Sequence, residues 1–374
     1  MTDPVSTGAV PGSRAPRPDI VLAHDYLVQS GGAERVVAHW AEALEPAALV
    51  TLAYRPETTF DAFDAVDVRA TIPRSLAGQV ERMLPALPSI AARTRVTGGD
   101  VALVSSSGWA HRFAFDMPHV VYVHSPARWL YAADDYRMRL SRVRRAGLTV
   151  STPMLRRGDA DAMRRADAIV ANSAVTRDRI RDAYGVDAEV VHPPVSPVAT
   201  EAVAPSRELP DEFAVVVARD RGYKNVALAV ESALAAGLPV VVVGAGSEEL
   251  DAPDDRVHGL GRVSDAELCW TYRNARVVVG AAREDFGLTV LEASFEGTPA
   301  AVVPAGGYLE TVRDGANGFH AADATSAALA EAIVRARDVG PDECRAWAER
   351  FGVDRHLDAV VELLEVAAGG SGGR

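Results

Sequence analysis

The amino-acid sequence predicts an α/β protein with two doubly wound parallel-sheet domains that face each other across a cleft. Short continuous apolar runs alternate with helical stretches, as expected for parallel strands covered by helices on both faces. A proline-rich segment interrupts this alternation near the middle of the chain. The 374 residues are enough for two domains of ordinary size. Because ligands of such folds bind at the carboxyl ends of the strands, we expect the functional site in the cleft.

The first group of strands predicts an N-terminal domain over residues 19–195. Residues 20–23 form an apolar run before a glycine-containing loop and a helix from Ala33 to about Leu44. Similar runs follow at residues 48–52, 101–104, 120–123, 168–171 and 189–191. Strands of this kind, joined by helices, form one parallel sheet. Residues 1–18 are rich in Pro, Gly and Ser and are expected to be a disordered tail.

Prolines between residues 192 and 212 predict a linker over residues 196–210. Strand-like runs then resume at residues 213–218, 239–243, 256–260, 277–279 and 300–303. They predict a C-terminal domain over residues 211–345. Apolar residues recur at helical spacing in residues 346–368, which we expect to form helices that pack back toward the first domain. Residues 369–374 read as a flexible tail.

Composition and charge exclude several classes of protein. A formal net charge of −12 disfavours nucleic-acid binding, which needs a basic surface. Cys269 and Cys344 lie far apart without a CxxC pair, so neither a disulfide framework nor a zinc site is expected. The sequence lacks a signal peptide and any apolar run of about 20 residues. A cytoplasmic protein, in solution or at the inner face of the plasma membrane, is therefore expected.

Gly31 and Gly32 follow the first strand and open the next helix. Missing side chains let a phosphate or a sugar approach the N–H groups at this positive helix end. An ordinary glycine turn before a helix is the alternative, and the residues alone do not decide between the two.

His124 stands just beyond the end of an apolar strand, where its side chain is predicted to face the cleft. It can there hydrogen-bond a sugar hydroxyl or take part in proton transfer. A structural strand-end histidine is the alternative. His24 and Asp25 end the first strand and either shape the acceptor side of the cleft or cap a turn.

Arg219 and Lys224 flank a glycine-containing loop after the first strand of the second domain. Two cations at this point can converge on a diphosphate and offset the charge that develops when it leaves. A single cation on a solvated loop is common and indicates little. The pair predicts a diphosphate site.

Glu284 and Glu292 are the most informative pair of residues. Glu284 is predicted in a loop after a strand, whereas Glu292 lies about one and a half turns into the next helix. The two carboxylates can therefore reach different parts of one elongated ligand. Amides of Phe286, Gly287 and Leu288 would begin that helix and face negative charge. A surface helix with scattered glutamates is the alternative, but the apolar side chains of this segment favour packing into the core.

With these motifs in this order, the chain resembles the retaining glycosyltransferases of family 4, which have the GT-B fold of two Rossmann-like domains. Residues 104–107 and 124–130 most resemble mannosyltransferases of bacterial surface polysaccharides. The matching motifs extend from Asp19 to about Phe319. Beyond the cation and glutamate pairs, they are Gly31-Gly32-Ala33-Glu34-Arg35, His124-Ser125-Pro126-Ala127-Arg128, Gly261-Arg262-Val263-Ser264 and Gly306-Gly307-Tyr308-Leu309-Glu310.

The resemblance implies a role for each candidate residue. Glu292 would bind the ribose and Glu284 the donor sugar near the reacting carbon. Arg219 and Lys224 would hold the diphosphate, and His124 would contact the sugar. The remaining donor contacts implied by the family involve Gly31, Gly32, Arg262, Val263, Phe286, Gly287 and Leu288.

The implied reaction moves a hexose, with GDP-mannose as the first expected donor, to a hydroxyl of a glycan or lipid-linked acceptor with retention. Neither a metal nor another cofactor is expected. The chain departs from the family where Ala218 and Asn225 replace glycines that often flank the cation loop. Asp285 also stands where a proline is common, and this extra carboxylate is expected near the donor sugar, where it can shift sugar preference.

Arginines cluster between residues 137 and 165, and residues 74–95 mix arginines with apolar residues. In an acidic chain this pattern indicates docking on anionic lipid or on a phosphorylated, lipid-linked acceptor. A solvated face with salt bridges is an equal alternative.

Two rival functions use related folds. A nicotinamide oxidoreductase is disfavoured, because Glu249 occupies the third glycine position of the dinucleotide fingerprint. A same-fold sugar-nucleotide epimerase or hydrolase, or a non-catalytic sugar-nucleotide binding protein, stays open as an alternative.

Overall fold

A computed structural model of the chain describes residues 17–84, 86–131, 142–217, 224–251 and 255–370. Within these ranges the chain forms two α/β domains, each built on one parallel sheet, and the predicted fold class is confirmed. The predicted N-terminal tail to residue 16, the loop that contains Arg219, and Arg137 and Arg139 of the arginine-rich segment lie outside the described residues.

The sheet of the first domain has seven parallel strands in the order β3-β2-β1-β5-β7-β8-β9. They are β1 (Ile20–His24), β2 (Ala48–Thr51), β3 (Val68–Ala70), β5 (Val101–Ser106), β7 (His119–Val123), β8 (Ala168–Ala171) and β9 (Glu189–Val190). A separate parallel pair is formed by β4 (Arg95–Val96) and β6 (Ala114–Phe115). The sequence did not predict β3, because it is a short edge strand without a buried face.

The helices of the first domain cover this sheet. They are α1 (Gly32–Leu44), α2 (Arg74–Ala77), α3 (Val80–Met83), α4 (Leu87–Ala91), α5 (Arg128–Tyr131), α6 (Arg142–Met163) and α7 (Ala174–Tyr184). Val80 and Leu87 are buried in the core, so the segment expected to be interfacial packs largely inward. Within its described side chains, only Leu76 is a large apolar group that is exposed, at 42%.

The sheet of the second domain has six parallel strands in the order β12-β11-β10-β13-β14-β15. They are β10 (Ala214–Val217), β11 (Val240–Val243), β12 (Val257–Gly261), β13 (Val277–Gly280), β14 (Ala300–Val302) and β15 (Gly318–His320). The covering helices are α8 (Val226–Ala235), α9 (Asp265–Asn274), α10 (Leu288–Phe295), α11 (Tyr308–Thr311) and α12 (Ser326–Ala336). Valine and alanine dominate these buried strands, as is typical of sheets covered on both faces.

Two further helices complete the chain, α13 (Pro341–Ala348) and α14 (Val353–Gly370). The second of them crosses back to the first domain, where Val360 and Leu364 share a core with Trp40. His356 fixes this contact through two hydrogen bonds. Trp40 Nε1 donates to its Nε2 at 2.8 Å, and its Nδ1 lies 2.7 Å from the carbonyl oxygen of His192.

Candidate active site

The candidate site lies where the two domains meet, at the carboxyl ends of both sheets. Gly32 begins α1 after β1, His124 follows β7, and Glu284 follows β13. Side chains from such loops converge in doubly wound folds. Arg35 of α1 and Asp265 of α9 form an ion pair across the domains at 3.5 Å, which shows that the two sets of loops come together.

The structure brings Glu284 and Lys224 into contact. The Lys224 ammonium donates a hydrogen bond to Glu284 Oε1, and the lysine and glutamate side chains are 18% and 16% exposed. The contact forms because β10 and β13, the strands that precede these residues, are neighbours in the sheet. A cation and a carboxylate so placed can bind a phosphate and a sugar hydroxyl side by side.

The loop that carries Glu284 rests on Gly306 and Gly307. Gly307 N donates a hydrogen bond to the Glu284 carbonyl oxygen at 2.9 Å. A Cβ atom on Gly306 would lie 2.2 Å from the same oxygen, and one on Gly307 would lie 2.2 Å from Phe286 Cα. A side chain at either position would displace the loop, so this glycine pair supports the position of Glu284.

Glu292 lies in the second turn of α10, close enough to Arg35 of the first domain to feel its charge. Tyr272 Oη donates a hydrogen bond to Glu292 Oε2 at 3.3 Å. Burial raises the pKa of Glu292, whereas Arg35 and the Tyr272 hydroxyl lower it in part. Arg35 was not predicted as a site residue, although it ends the Gly31-Gly32-Ala33-Glu34-Arg35 motif; its interdomain position is a property of the fold.

The N-termini of α1 and α10 approach each other. A Cβ atom on Gly32 would lie 2.9 Å from Leu288 Cδ1, in the first residue of α10. Gly31 caps α1, and Gly287 caps α10 with φ 94°. Because helix N-termini carry partial positive charge, this arrangement favours an anionic group nearby. The four glycine and leucine positions predicted for donor binding therefore lie in one region.

The Phe286 side chain does not take part in this region. It is buried in a cluster with Val195, Leu291 and Phe351. Its ring centroid lies 5.3 Å from that of His192 and 5.8 Å from that of Phe351. Only the backbone of Phe286 is therefore placed to meet a ligand.

Arg262 and Val263 connect β12 to α9. Arg262 is exposed, and Val263 packs partly against the core of the second domain. Ser264 caps α9 and forms a capping box with Glu267. Since the following residue, Asp265, contacts the first domain, these two residues lie near the junction of the domains.

His124 is buried, and its Nε2 lies 2.8 Å from Ser105 Oγ. The same hydroxyl lies 2.9 Å from His24 Nδ1, so the three side chains form one buried chain. Burial, together with the smaller effects of the neighbouring His24 and His356, lowers the pKa of His124 to about 3. His124 is therefore neutral at physiological pH and is a hydrogen-bonding group rather than a cationic acid.

Asp25 organises the loop that follows β5. Its carboxylate accepts hydrogen bonds from the backbone N–H groups of Ser107, Trp109 and Ala110 at 2.6, 2.5 and 2.6 Å. The side chain is fully buried. Of the two roles considered for Asp25, this geometry corresponds to the capping of a turn.

Asp285 was expected near the donor sugar, and the sequence did not predict its partners. Its carboxylate accepts hydrogen bonds from Arg128 and Arg179, which both belong to the first domain. Its neighbour in space, Glu310, accepts from Ala174 N at 2.9 Å and lies 3.0 Å from His192 Nε2. The sequence did not predict these contacts of Asp285 and Glu310 with the first domain. They depend on how the two domains dock and not on the local pattern of residues in the sequence.

Across the ranges that the structure describes, no group of three His, Cys, Asp or Glu side chains is arranged to hold a metal ion. No helix in the described part of the chain combines the length and hydrophobicity needed to cross a bilayer.

Two family models match adjacent parts of the chain. Glycosyltransferase Family 4 matches residues 30–198, and Glycosyl transferases group 1 matches residues 200–350. The boundary between them falls in the proline-rich linker. Together the two matches cover the first domain from residue 30 onward, the second domain and α13, whereas β1 lies before the first match.

Two curated relatives are also named as glycosyltransferases. The D-inositol 3-phosphate glycosyltransferase 1 of Catenulispora acidiphila is 32% identical over an alignment of 248 residues, and the alignment covers 56% of this chain and 59% of that protein. The D-inositol 3-phosphate glycosyltransferase of Geodermatophilus obscurus is 31% identical over an alignment of 301 residues, and the alignment covers 70% of this chain and 64% of that protein. The chain thus spans about three fifths of the length of these relatives.

Among solved structures, Anabaena HepE in complex with UDP-glucose is similar with a TM-score of 0.65. The match covers 93% of this chain and 99% of that one at 19% identity. At this level of identity the similarity establishes the fold, which is the GT-B arrangement expected from the motifs.

Proposed function

Because the chain belongs to the glycosyltransferases that join a family 4 domain to a group 1 domain, we propose that it transfers a sugar from a nucleoside diphosphate sugar to an acceptor hydroxyl. The observation that carries the proposal is the contact between Glu284 and Lys224 at the carboxyl edge of the second sheet. Glu292 and the N-termini of α1 and α10 lie at the same junction of the domains.

In this proposal Lys224 binds the diphosphate and offsets the charge that develops on it, together with Arg219 from the loop before α8. Glu284 orients the sugar hydroxyls, and Glu292 accepts hydrogen bonds from the ribose. The reaction proceeds with retention, by attack on the same face from which the diphosphate leaves, with the leaving phosphate accepting the acceptor's proton. Catalysis then rests on positioning and electrostatic stabilisation.

The donor and acceptor are proposed more specifically as follows. The donor is a hexose nucleotide, with GDP-mannose first, and UDP-glucose is the alternative suggested by the ligand of Anabaena HepE. The acceptor is a glycan or lipid-linked hydroxyl, and the names of the curated relatives add inositol 3-phosphate as an acceptor to test. The reaction is placed in the cytoplasm, with peripheral contact to the inner face of the membrane.

A thermal-shift panel with GDP, UDP, GDP-mannose and UDP-glucose tests donor binding. We expect either the guanosine or the uridine compounds to stabilise the protein clearly more than the others. A ligand present at 100 times its dissociation constant raises the free energy of unfolding by about 2.7 kcal/mol. No shift with any of the four compounds would contradict the proposal.

A product assay with the stabilising sugar nucleotide then distinguishes transfer from the alternatives. Transfer to inositol 3-phosphate or to a lipid-linked acceptor supports a glycosyltransferase. Epimerised donor, free sugar, or binding without turnover would instead identify the epimerase, hydrolase or binding protein.

A further inference from the structure

Asp285 is held by the opposite domain. It lies in the loop after β13, directly after Glu284, and its carboxylate is 18% exposed. Arg128 Nη2 donates a hydrogen bond to its Oδ2 and Arg179 Nη1 to its Oδ1, so each oxygen has its own guanidinium partner. The side chain therefore links the donor-site loop of the second domain to the first domain.

The backbone of the same residue is held as well. Ser173 Oγ, at the N-cap of α7, donates to the Asp285 carbonyl oxygen at 2.7 Å. Arg179 belongs to the same helix, whereas Arg128 begins α5. Three contacts from two helices of the first domain thus converge on one residue of the second.

A second anchor acts on the loop that supports Glu284. The Glu310 carboxylate accepts hydrogen bonds from Ala174 N at 2.9 and 3.0 Å, at the start of α7. Glu310 lies in α11, three residues after Gly307, whose N–H donates to the Glu284 carbonyl oxygen. The N-terminus of α7 is therefore tied directly to the Asp285 backbone and, through α11 and Gly307, to the Glu284 backbone.

Partly exposed ion pairs contribute little to the free energy of unfolding, so stability alone does not account for a carboxylate clamped between two arginines of another domain. Position matters more, because a displacement of about 1 Å in a site can cost about a hundredfold in rate. Resting on the proposed function, we propose that Asp285 is a positioning residue: by binding Arg128 and Arg179 it couples closure of the two domains to the placement of Glu284.

The test compares full-length Asp285→Asn with a matched control, Glu212→Gln. Glu212 also meets two arginines, Arg276 and Arg337, but all three belong to the second domain. The readouts are the radius of gyration by small-angle X-ray scattering and steady-state kinetics with GDP-mannose and UDP-glucose. The scattering measurement does not depend on activity.

We expect Asp285→Asn to increase the radius of gyration and to lower kcat by about tenfold or more, while the donor KM stays within about twofold, because the donor contacts lie mainly in the second domain. Glu212→Gln should match the wild type in all three quantities. Adding Arg179→Gln to Asp285→Asn should cause no further loss, since both changes remove the same contact.

The proposal is overturned if either the radius of gyration or the kcat of Asp285→Asn equals that of the Glu212→Gln control. If Asp285→Asn fails to fold, the double variant Arg128→Gln/Arg179→Gln replaces it, because it removes both guanidinium partners of Asp285 from the first domain. If the wild type transfers sugar from neither donor, the proposed function fails, and the scattering comparison alone decides whether Asp285 holds the domains together.

Discussion

At the level of single residues, the Glu284 carboxylate and the Lys224 ammonium define the centre of the site. Each side chain is less than a fifth exposed, at 16% and 18%. Charges act more strongly on a ligand at such partly desolvated positions than in water. A sugar hydroxyl bound to one group and a phosphate bound to the other would be held next to each other, as in a sugar diphosphate.

Glu284→Ala should therefore lower kcat/KM for sugar transfer by at least about a hundredfold, because it removes a group that orients the donor. The melting temperature should stay close to that of the wild type, since the loop backbone is held by Gly307 and Ser173. Glu331→Ala, on the exposed face of α12, is the control and should leave turnover unchanged. Near-normal turnover of the Glu284 variant would refute its assigned role.

The sequence predicted that Glu284 and Lys224 both face the cleft, because both follow strands of the second domain. It did not predict that the two side chains form an ion pair with each other. It did not predict the direction of the Asp285 side chain. Neighbouring residues of a loop point to different sides, and which side faces the other domain depends on docking. For the same reason Arg35 was not recognised, although its motif was.

At the level of elements, helix α14 depends on a single tautomer of His356. Because Trp40 Nε1 donates to Nε2, the proton of the neutral ring is on Nδ1, which donates to the His192 carbonyl oxygen. Burial lowers the pKa of His356 from its ordinary value of 6.5 to about 4. Protonation would place two N–H groups against each other at the Trp40 contact.

The free energy of unfolding should consequently fall as the pH falls from 6.5 toward 4, because the unfolded chain then binds more protons than the folded chain. The contribution is fully present above pH 6.5. His124, whose pKa is about 3, acts in the same direction. Urea denaturation at several pH values measures the slope.

His356→Gln should be less stable at pH 8 but should lose less stability on acidification than the wild type. Leu364→Ala, on the same helix, is the control: it should cost about 2–5 kcal/mol through a cavity and keep the wild-type pH slope. Equal slopes for wild type and His356→Gln would contradict the assignment.

Helices and strands with a regular or continuous pattern of apolar residues were predictable from the sequence. Elements that depend on tertiary contacts were not. The strands β10, β11 and β13 are continuous valine runs that only a buried parallel sheet accommodates. The apolar residues of segment 74–95 are spaced as on an interfacial surface. In the folded protein Val80 and Leu87 are buried in the core of the first domain, and Met83, Leu84 and Ile90 are partly buried against it.

At the level of the whole molecule, membrane contact stays a prediction that can be tested on helix α6. Arg157 is exposed there, near Met154, which is 74% exposed. Vesicles that contain phosphatidylserine should carry the wild type upward in a flotation gradient at low salt, whereas neutral vesicles should not.

Arg157→Glu should weaken this flotation, since each basic residue near an anionic surface contributes about 1 kcal/mol. Arg355→Glu, an exposed site on α14, is the control. If the wild type stays unbound at low salt, the protein does not dock on anionic lipid by itself.

The return of α14 to the first domain means that the polypeptide passes between the domains twice, once before and once after the second domain. With two covalent crossings, we expect bending of the domains to be easier than free rotation. A chimera that exchanges the second domain therefore needs two junctions. The segment taken from the other protein must end before Val353, where α14 begins. A fragment truncated at the first crossing would leave Trp40 and its apolar neighbours uncovered, and we expect such a fragment to aggregate.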